Sequence, residues 1–373
     1  MGHYEAGMSL EYYVALNMMQ DIGPVRVRGL LETLGSLEAV FAASAGELAA
    51  APKMGLETAR RFVEQRRTVN AARELDRAEA LGLRVLCPLD EAYPEALKQI
   101  HDPPLALYVK GTLTSADRHG IAVIGTRRCS HYGRQAADRL AFQLAKQGYT
   151  VVSGLARGID TAAHEGALKG GGRTLAVLGS GMDCLYPAEN AALAEKIAGQ
   201  GALLSEFPLG TAPGRTTFPM RNRIVSGLSK GVLVVEASKE SGTMITVDEA
   251  TSQGRLIFAV PGRIDSPGSS GCHQLIQNGA KLVTDVDDIT GEFEYLIPPN
   301  PAGREDPEVA RAPLPALSEE ETRVLALLEA GGMLVDELIR ASTLPSSRIS
   351  SLLIGLEMKR RVRMLPGRVV QAL

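Results

Sequence analysis

The sequence has no tryptophan, and phenylalanine and tyrosine together make up only 4% of its 373 residues. In so aromatic-poor a chain, each ring in a polar setting carries weight. Cysteine is scarce too: Cys87, Cys129, Cys184 and Cys272 stand far apart and form no C-x-x-C pair. That pattern fits reduced thiols better than a disulfide framework. Cys129 with His131, and Cys272 with His273, lack a second pair at ligand spacing, so no metal is expected. No apolar run approaches the ~20 residues that cross a bilayer, and no charged-then-apolar leader opens the chain. The expectation is a cytoplasmic protein without membrane contact. The net charge is only -3, with 22% charged residues, so a globally basic nucleic-acid binder is excluded. Any such contact must come from local patches and weaken with salt. Three nucleotide or nucleophile signatures are also missing: G-x-G-x-x-G after the first strand, G-x-x-x-x-G-K-[ST], and G-x-S-x-G. No cofactor is expected.

What is present divides into four parts. Residues 1–81 are helical in pattern and contain two related phrases, IGPVRVRGLLETLGS and APKMGLETARRFVEQRR, each a Gly/Pro turn before an amphipathic helix. They resemble helix-hairpin-helix or sterile-alpha-motif bundles, whose turns present amides to a DNA backbone or which serve protein contacts. Residues 82–297 open with a proline-rich edge strand and connector. From 121 to 289, near-continuous apolar strands then alternate with helices. Such strands are covered on both faces, which predicts an extended Rossmann-like, doubly wound parallel α/β sheet. Residues 298–316 are a proline- and alanine-rich linker. Residues 317–373 give helix, helix, helix and wing, a winged-helix module suited to DNA or to protein. Lys359, Arg360, Arg361, Arg363 and Arg368 cluster near its wing.

Ligands of open parallel sheets bind at the strands' carboxyl ends. Five such ends are rich in small residues and donors. The first is GTRRCSHYG, with Gly125, Arg127 and Arg128; the second carries Ser153 and Gly154; the third carries Gly179 and Gly181. The fourth is the basic stretch within 203–235, where Arg215, Arg221, Arg223 and Lys230, with Phe218 and Asn222 among them, fall between Glu206 and Glu236 without an intervening acid. The fifth, Ser241, Gly242 and Thr243, precedes a helix. Together they read as a phosphate-binding edge with an aromatic face for a base. The alternative for the fourth is an ordinary loop whose arginines pair with Glu206 and Glu236. His164, beside Glu165 on a predicted helix, reads as structural rather than as a base.

The ordered phrases GTRRCSHYG, SGLARGIDTAAHEGAL, GGRTLAVLGSGMDCLYPAEN, FPMRNRIVSGLS, EASKESGTMITVDEA and GCHQLIQNGAKLV resemble the DNA-processing protein A (DprA, also Smf) family. The resemblance covers about the middle half of the chain. It implies an extended Rossmann domain that binds single-stranded DNA, forms a homodimer and has no catalytic activity. It also implies a role in natural transformation, protecting incoming single strands and loading a RecA-type recombinase. Arg127 falls on the family's Gly-Ser-Arg position, with Thr126 in place of serine. Arg173 falls where members often carry lysine, and Phe218, Arg221 and Asn222 fall on the F-P-x-R-N phrase; Arg127, Arg173, Arg221 and Arg223 are thus expected to hold phosphates and Phe218 to stack or wedge a base.

Two rival functions remain at this level. The central segment is also similar to cytokinin-activating, lysine-decarboxylase-like phosphoribohydrolases, with Arg221 and Glu249 as the catalytic couple. Here ESGTMITVDE replaces their P-G-G-x-G-T-x-x-E phrase, without the glycine pair and with the acid displaced. The third possibility is a protein adaptor working through the helical and winged ends.

Overall fold

The structure, a computed structural model, describes residues 2–293, 317–328, 333–342, 344–359, 361–365 and 369–372. The expected linker, 298–316, lies outside the described residues. The chain divides into two units, Met1–Pro299 and Asn300–Leu373.

The first unit opens with six helices: α1 (Gly2–Met18), α2 (Pro24–Leu34), α3 (Leu37–Ala42), α4 (Ala45–Ala49), α5 (Leu56–Gln65) and α6 (Ala71–Ala80). Local chemistry sets their starts. Pro24 sits in the first turn of α2, the Ser36 hydroxyl caps α3, and Ser44 with Glu47 forms a capping box on α4. The Arg26 Nε donates to the Lys53 carbonyl at 2.9 Å and so ties the two hairpins together.

The sheet follows: β1 (Arg84–Leu86), α7 (Glu95–Lys98), β2 (Leu107–Gly111), β3 (Gly120–Gly125), α8 (His131–Lys146), β4 (Thr150–Ser153), α9 (Ile159–Lys169), β5 (Thr174–Val177), α10 (Ala191–Gln200) and β6 (Ala202–Ser205). It continues through α11 (Thr217–Gly227), β7 (Gly231–Glu236), α12 (Thr243–Ser252), β8 (Leu256–Ala259), α13 (Ser270–Gln277), β9 (Lys281–Leu282) and α14 (Asp287–Thr290). The strand order is β1-β2-β6-β5-β4-β3-β7-β8-β9. Seven strands are parallel, and β2 joins the β6 edge antiparallel, with β1 antiparallel to β2. Residues of β4, β5, β6 and β7 are buried along their whole length, as their apolar runs require.

Two cores sandwich the sheet. One packs Val152, Leu175 and Val232 against Ile224, Val247 and Leu275 of α11, α12 and α13. The other packs Ile121, Val123 and Val151 against Leu140, Leu144 and Ala163 of α8 and α9. The helical segment shares this unit: buried Glu74 of α6 accepts from the Tyr108 hydroxyl (3.0 Å) and from the Leu209 amide (2.7 Å).

Strand order reverses between β3 and β7, so their carboxyl ends flank a crevice. Their register slips between Ile124 and Gly125, so that Gly125 faces Glu236.

The second unit contains α15 (Glu319–Leu328), β10 (Met333–Leu334), α16 (Val335–Ser342), α17 (Ser346–Met358), β11 (Val362–Leu365) and β12 (Val369–Ala372). Its antiparallel sheet runs β10-β12-β11 over a core of Val324, Leu338, Leu352, Leu356 and Val370. This is the winged-helix order. Of its basic cluster, Lys359 is engaged with Glu321 at 2.7 Å, and Arg360 and Arg368 lie outside the described residues.

Candidate nucleic-acid interface

A pocket of about 540 Å³ lies at the switch point. The β3 loop contributes Gly125, Thr126, Arg127 and Arg128, and the turn after β4 contributes Gly154, Ala156 and Asp160. Helix α11 and the loop before it contribute Arg215, Phe218, Pro219, Arg221 and Asn222, and the start of α12 contributes Ser241, Gly242, Thr243 and Thr246.

The loops are locked to one another. Gly158 has φ 81° and packs where a Cβ would lie 2.4 Å from the Thr126 carbonyl, so only glycine brings the α9 turn this close to the β3 loop. Ile159 N donates to that same carbonyl at 3.3 Å. Glu236 accepts from the Ser130 amide (3.1 Å) and hydroxyl (2.6 Å), fixing the start of α8.

Arg221 is buried in the pocket wall. Its Nη1 donates to the Gly154 carbonyl at 2.7 Å and to the Val177 carbonyl, joining the ends of β4 and β5. A Cβ on Gly154 would lie 2.5 Å from this guanidinium, so any larger residue there would displace Arg221 from its place. The Asp160 carboxylate, which accepts from the Gly154 (3.1 Å) and Ala156 (3.2 Å) amides, is its neighbouring charge. Burial pushes the Arg221 pKa down to about 10, with Asp160 opposing the shift and Arg127 adding to it; the cation therefore persists at neutral pH. Burial likewise raises Asp160, and Arg221 opposes that rise.

At the rim, Arg127, Arg128 and Arg215 have no carboxylate partner among the described residues. The Arg127 guanidinium lies 4.9 Å from the Phe218 ring centre. Ser241 Oγ accepts from the Thr243 amide at 3.2 Å and marks the start of α12. Three free cations, an accessible ring and helix-start amides can together accept a phosphate and stack a base.

Ten of the fifteen expected residues line this pocket: Gly125, Arg127, Arg128, Gly154, Phe218, Arg221, Asn222, Ser241, Gly242 and Thr243. The other five do not. Arg173 precedes β5 and so sits at the sheet's opposite edge, where it forks onto Asp117 (both contacts 2.9 Å) and donates to the Thr112 carbonyl. Arg223 is buried on Glu206 (2.6 and 2.5 Å) and on Asp102 (2.9 Å). Burial opposes its charge, but those carboxylates more than offset that and hold it protonated. The loop-pairing alternative is therefore right for Arg223 and its Glu206 partner. Ser153 is buried with its hydroxyl on the Val123 carbonyl, Gly179 backs the Phe218 ring, and the Gly181 amide donates to Thr211. Nor do Arg221 and Glu249 form a couple. Glu249 has Asp102 and Arg223 as its charged neighbours, and burial raises its pKa. His164 is buried with Nδ1 2.7 Å from the Thr174 hydroxyl, a structural role.

Among the pocket residues absent from the expectation is Asp160. Asp160 had a signal, an acid in the first turn after a glycine, where it caps amides and faces a cation. Arg215, a cation of the basic stretch that lies outside the F-P-x-R-N phrase, also lines the pocket.

Fold and pocket together define an extended Rossmann-like protein with a cationic strand-edge pocket, flanked by a helical and a winged-helix module. Residues 84–294 match the family model described as DNA recombination-mediator protein A; 308–368 match a DprA winged helix domain, and 14–68 a SAM-like helix-hairpin-helix tandem. The chain belongs to this DNA recombination-mediator protein A family, DprA or Smf. DNA processing protein DprA of Streptococcus pneumoniae is 45% identical over 207 residues, covering 56% of this chain and 73% of that one. Protein Smf of Escherichia coli is 42% identical over 266 residues, covering 68% and 71%. The solved S. pneumoniae DNA processing protein A superposes with a TM-score of 0.66 at 36% identity, covering 76% of this chain and 96% of that one. DNA processing protein A of Helicobacter pylori, solved for its single-stranded DNA binding mode, gives 0.52 at 32% identity, covering 57% of this chain and 96% of that one. Among the described residues, no helix is long and apolar enough to cross a membrane.

Proposed function

We propose that this chain binds single-stranded DNA in the switch-point pocket, with Arg127, Arg128 and Arg215 on phosphates and Phe218 under a base. The observation that carries this is the company of those three unpaired arginines with the Phe218 ring around one concave site. Arg221 supplies positive potential from the pocket wall while it braces two strand ends. The single-stranded DNA binding mode named for the H. pylori relative supports extending the reading to this chain. Binding rather than bond cleavage is the proposed activity. In the cell the protein would act as a homodimer in the cytoplasm during DNA uptake, protecting the incoming strand and passing it to a RecA-type recombinase. We assign the DNA site to the module at 82–297, between a helical module at 1–81 and, across the linker at 298–316, a winged helix at 317–373.

The test is binding of a fluorescent oligothymidine to the full-length protein. Wild type should bind it more tightly than the duplex of the same length. Arg127→Ala should lose affinity by about 1.5–3 kcal/mol, the range for a charge-assisted contact. Equal binding by wild type and variant would sink the assignment of the site.

A further inference from the structure

Beside the pocket, four side chains from separate segments form a continuous row. Arg127 follows β3, Arg157 follows β4, Tyr186 lies between β5 and α10, and Phe218 opens α11. The Arg127 guanidinium carbon lies 4.9 Å from the Phe218 ring centre. The Phe218 and Tyr186 rings are 5.8 Å apart and inclined at 46°. The Arg157 guanidinium carbon lies 5.8 Å from the Tyr186 ring centre. The order is cation, ring, ring, cation.

The two ends of the row differ. Arg157 is held by Glu189 through hydrogen bonds of 2.5 and 2.7 Å, so it braces Tyr186 from one side. Arg127 has no carboxylate partner among the described residues, so it can turn to a phosphate and bare the face of Phe218. Tyr186 remains 39% exposed although it touches a second ring and a fixed cation. A braced, wet ring at the rim of a cationic pocket is a platform, not core.

We propose that Tyr186 is a second base-stacking surface, on which the strand lays the base adjoining the one on Phe218. The inference rests on the pocket being a single-stranded DNA site and names what that site recognises: two neighbouring unpaired nucleobases, of any sequence, because every base has a π face. The rings are inclined, so the two bases follow different planes and the strand turns between them. An unpaired strand does this readily. A duplex, with its bases stacked in parallel, does not.

The absence of tryptophan gives a clean readout. Tyr186→Trp places a single indole in the full-length protein at this position. Its emission is followed as unlabelled oligothymidine is added, and the anisotropy of a labelled oligothymidine reports binding independently. The expected result is quenching in step with binding. Tyr186→Ala should weaken binding about five- to a hundredfold, and Tyr186→Phe should stay within about twofold of wild type. Unquenched indole in a saturated complex, with Tyr186→Ala binding like wild type, would overturn the second stacking position and leave the pocket standing. Failure of the wild type to bind oligothymidine at all would overturn both.

Discussion

Arg221 and Arg223 sit two positions apart on α11, about 200° around the helix at 3.6 residues per turn, and so face different surroundings. One reaches the ends of β4 and β5 in the pocket wall, and the other reaches Glu206 and Asp102. Both are buried, so neither is a mobile phosphate hook; the proposed phosphate contacts are Arg127, Arg128 and Arg215 at the rim. Removing one partner of a buried ion pair leaves the other charge uncompensated, at a cost of about 3–5 kcal/mol. Arg223→Met is therefore expected to lower the urea midpoint by that much stability. Adding Glu206→Leu should recover part of it, because an apolar pair no longer leaves a stranded carboxylate. A single variant as stable as wild type would contradict the pairing. Arg127→Ala, by contrast, should leave the midpoint unchanged.

At the scale of the element, α9 carries a buried histidine that links it to β5. His164 meets the Thr174 hydroxyl, and that hydroxyl donates in turn to the Val151 carbonyl of β4. Burial, with the Arg221 charge adding to it, pushes the His164 pKa down to about 3. In the unfolded chain the same imidazole takes its proton near ~6.5. Between those values the unfolded state binds the extra proton, so the stability is fully present above ~6.5 and is lost as pH falls towards 3. The slope it contributes approaches about 1.4 kcal/mol per pH unit below the unfolded value. His164→Asn should flatten stability against pH between pH 7 and 5 by up to that slope, measured as urea midpoints at fixed temperature. An unchanged slope would show that the imidazole is already protonated in the fold. The same helix depends on Gly158 to approach the β3 loop, so packing of α9 and geometry of the pocket are one property.

For the whole molecule, a net charge of -3 means that the proposed DNA affinity must come from local basic patches. With three rim arginines neutralising phosphates, log K against log salt should fall with a slope of about -2, at about -0.7 per contact on a single strand. Arg127→Ala should make that slope shallower by about 0.7. A slope several times steeper would place most of the DNA contact elsewhere, on the helical or the winged-helix module. Each of those modules has its own core, one around Leu16, Leu30, Leu48 and Phe62, the other around Leu338, Leu352 and Leu356.

The sequence by itself determined the alternation of apolar strands and helices, the glycine-bearing turns at the strand ends and the order of family phrases. Each of these is local, because a strand covered on both faces shows as a continuous apolar run and a tight turn shows as glycine. It also placed Phe218, Arg127 and the start of α12 near one another through the rule that carboxyl ends share an edge. Only the tertiary structure decided which arginines are free. Arg173 finds Asp117 and Thr112 far away in the chain, so no window of sequence around it shows the pairing; for Arg223 the sequence offered Glu206 as one alternative, but folding made the choice and added Asp102 from across the fold. The aromatic row likewise joins Phe218 to Tyr186 and two cations from separate loops. A charged residue's role depends on which opposite charge reaches it after folding, and that is a property of the packed chain.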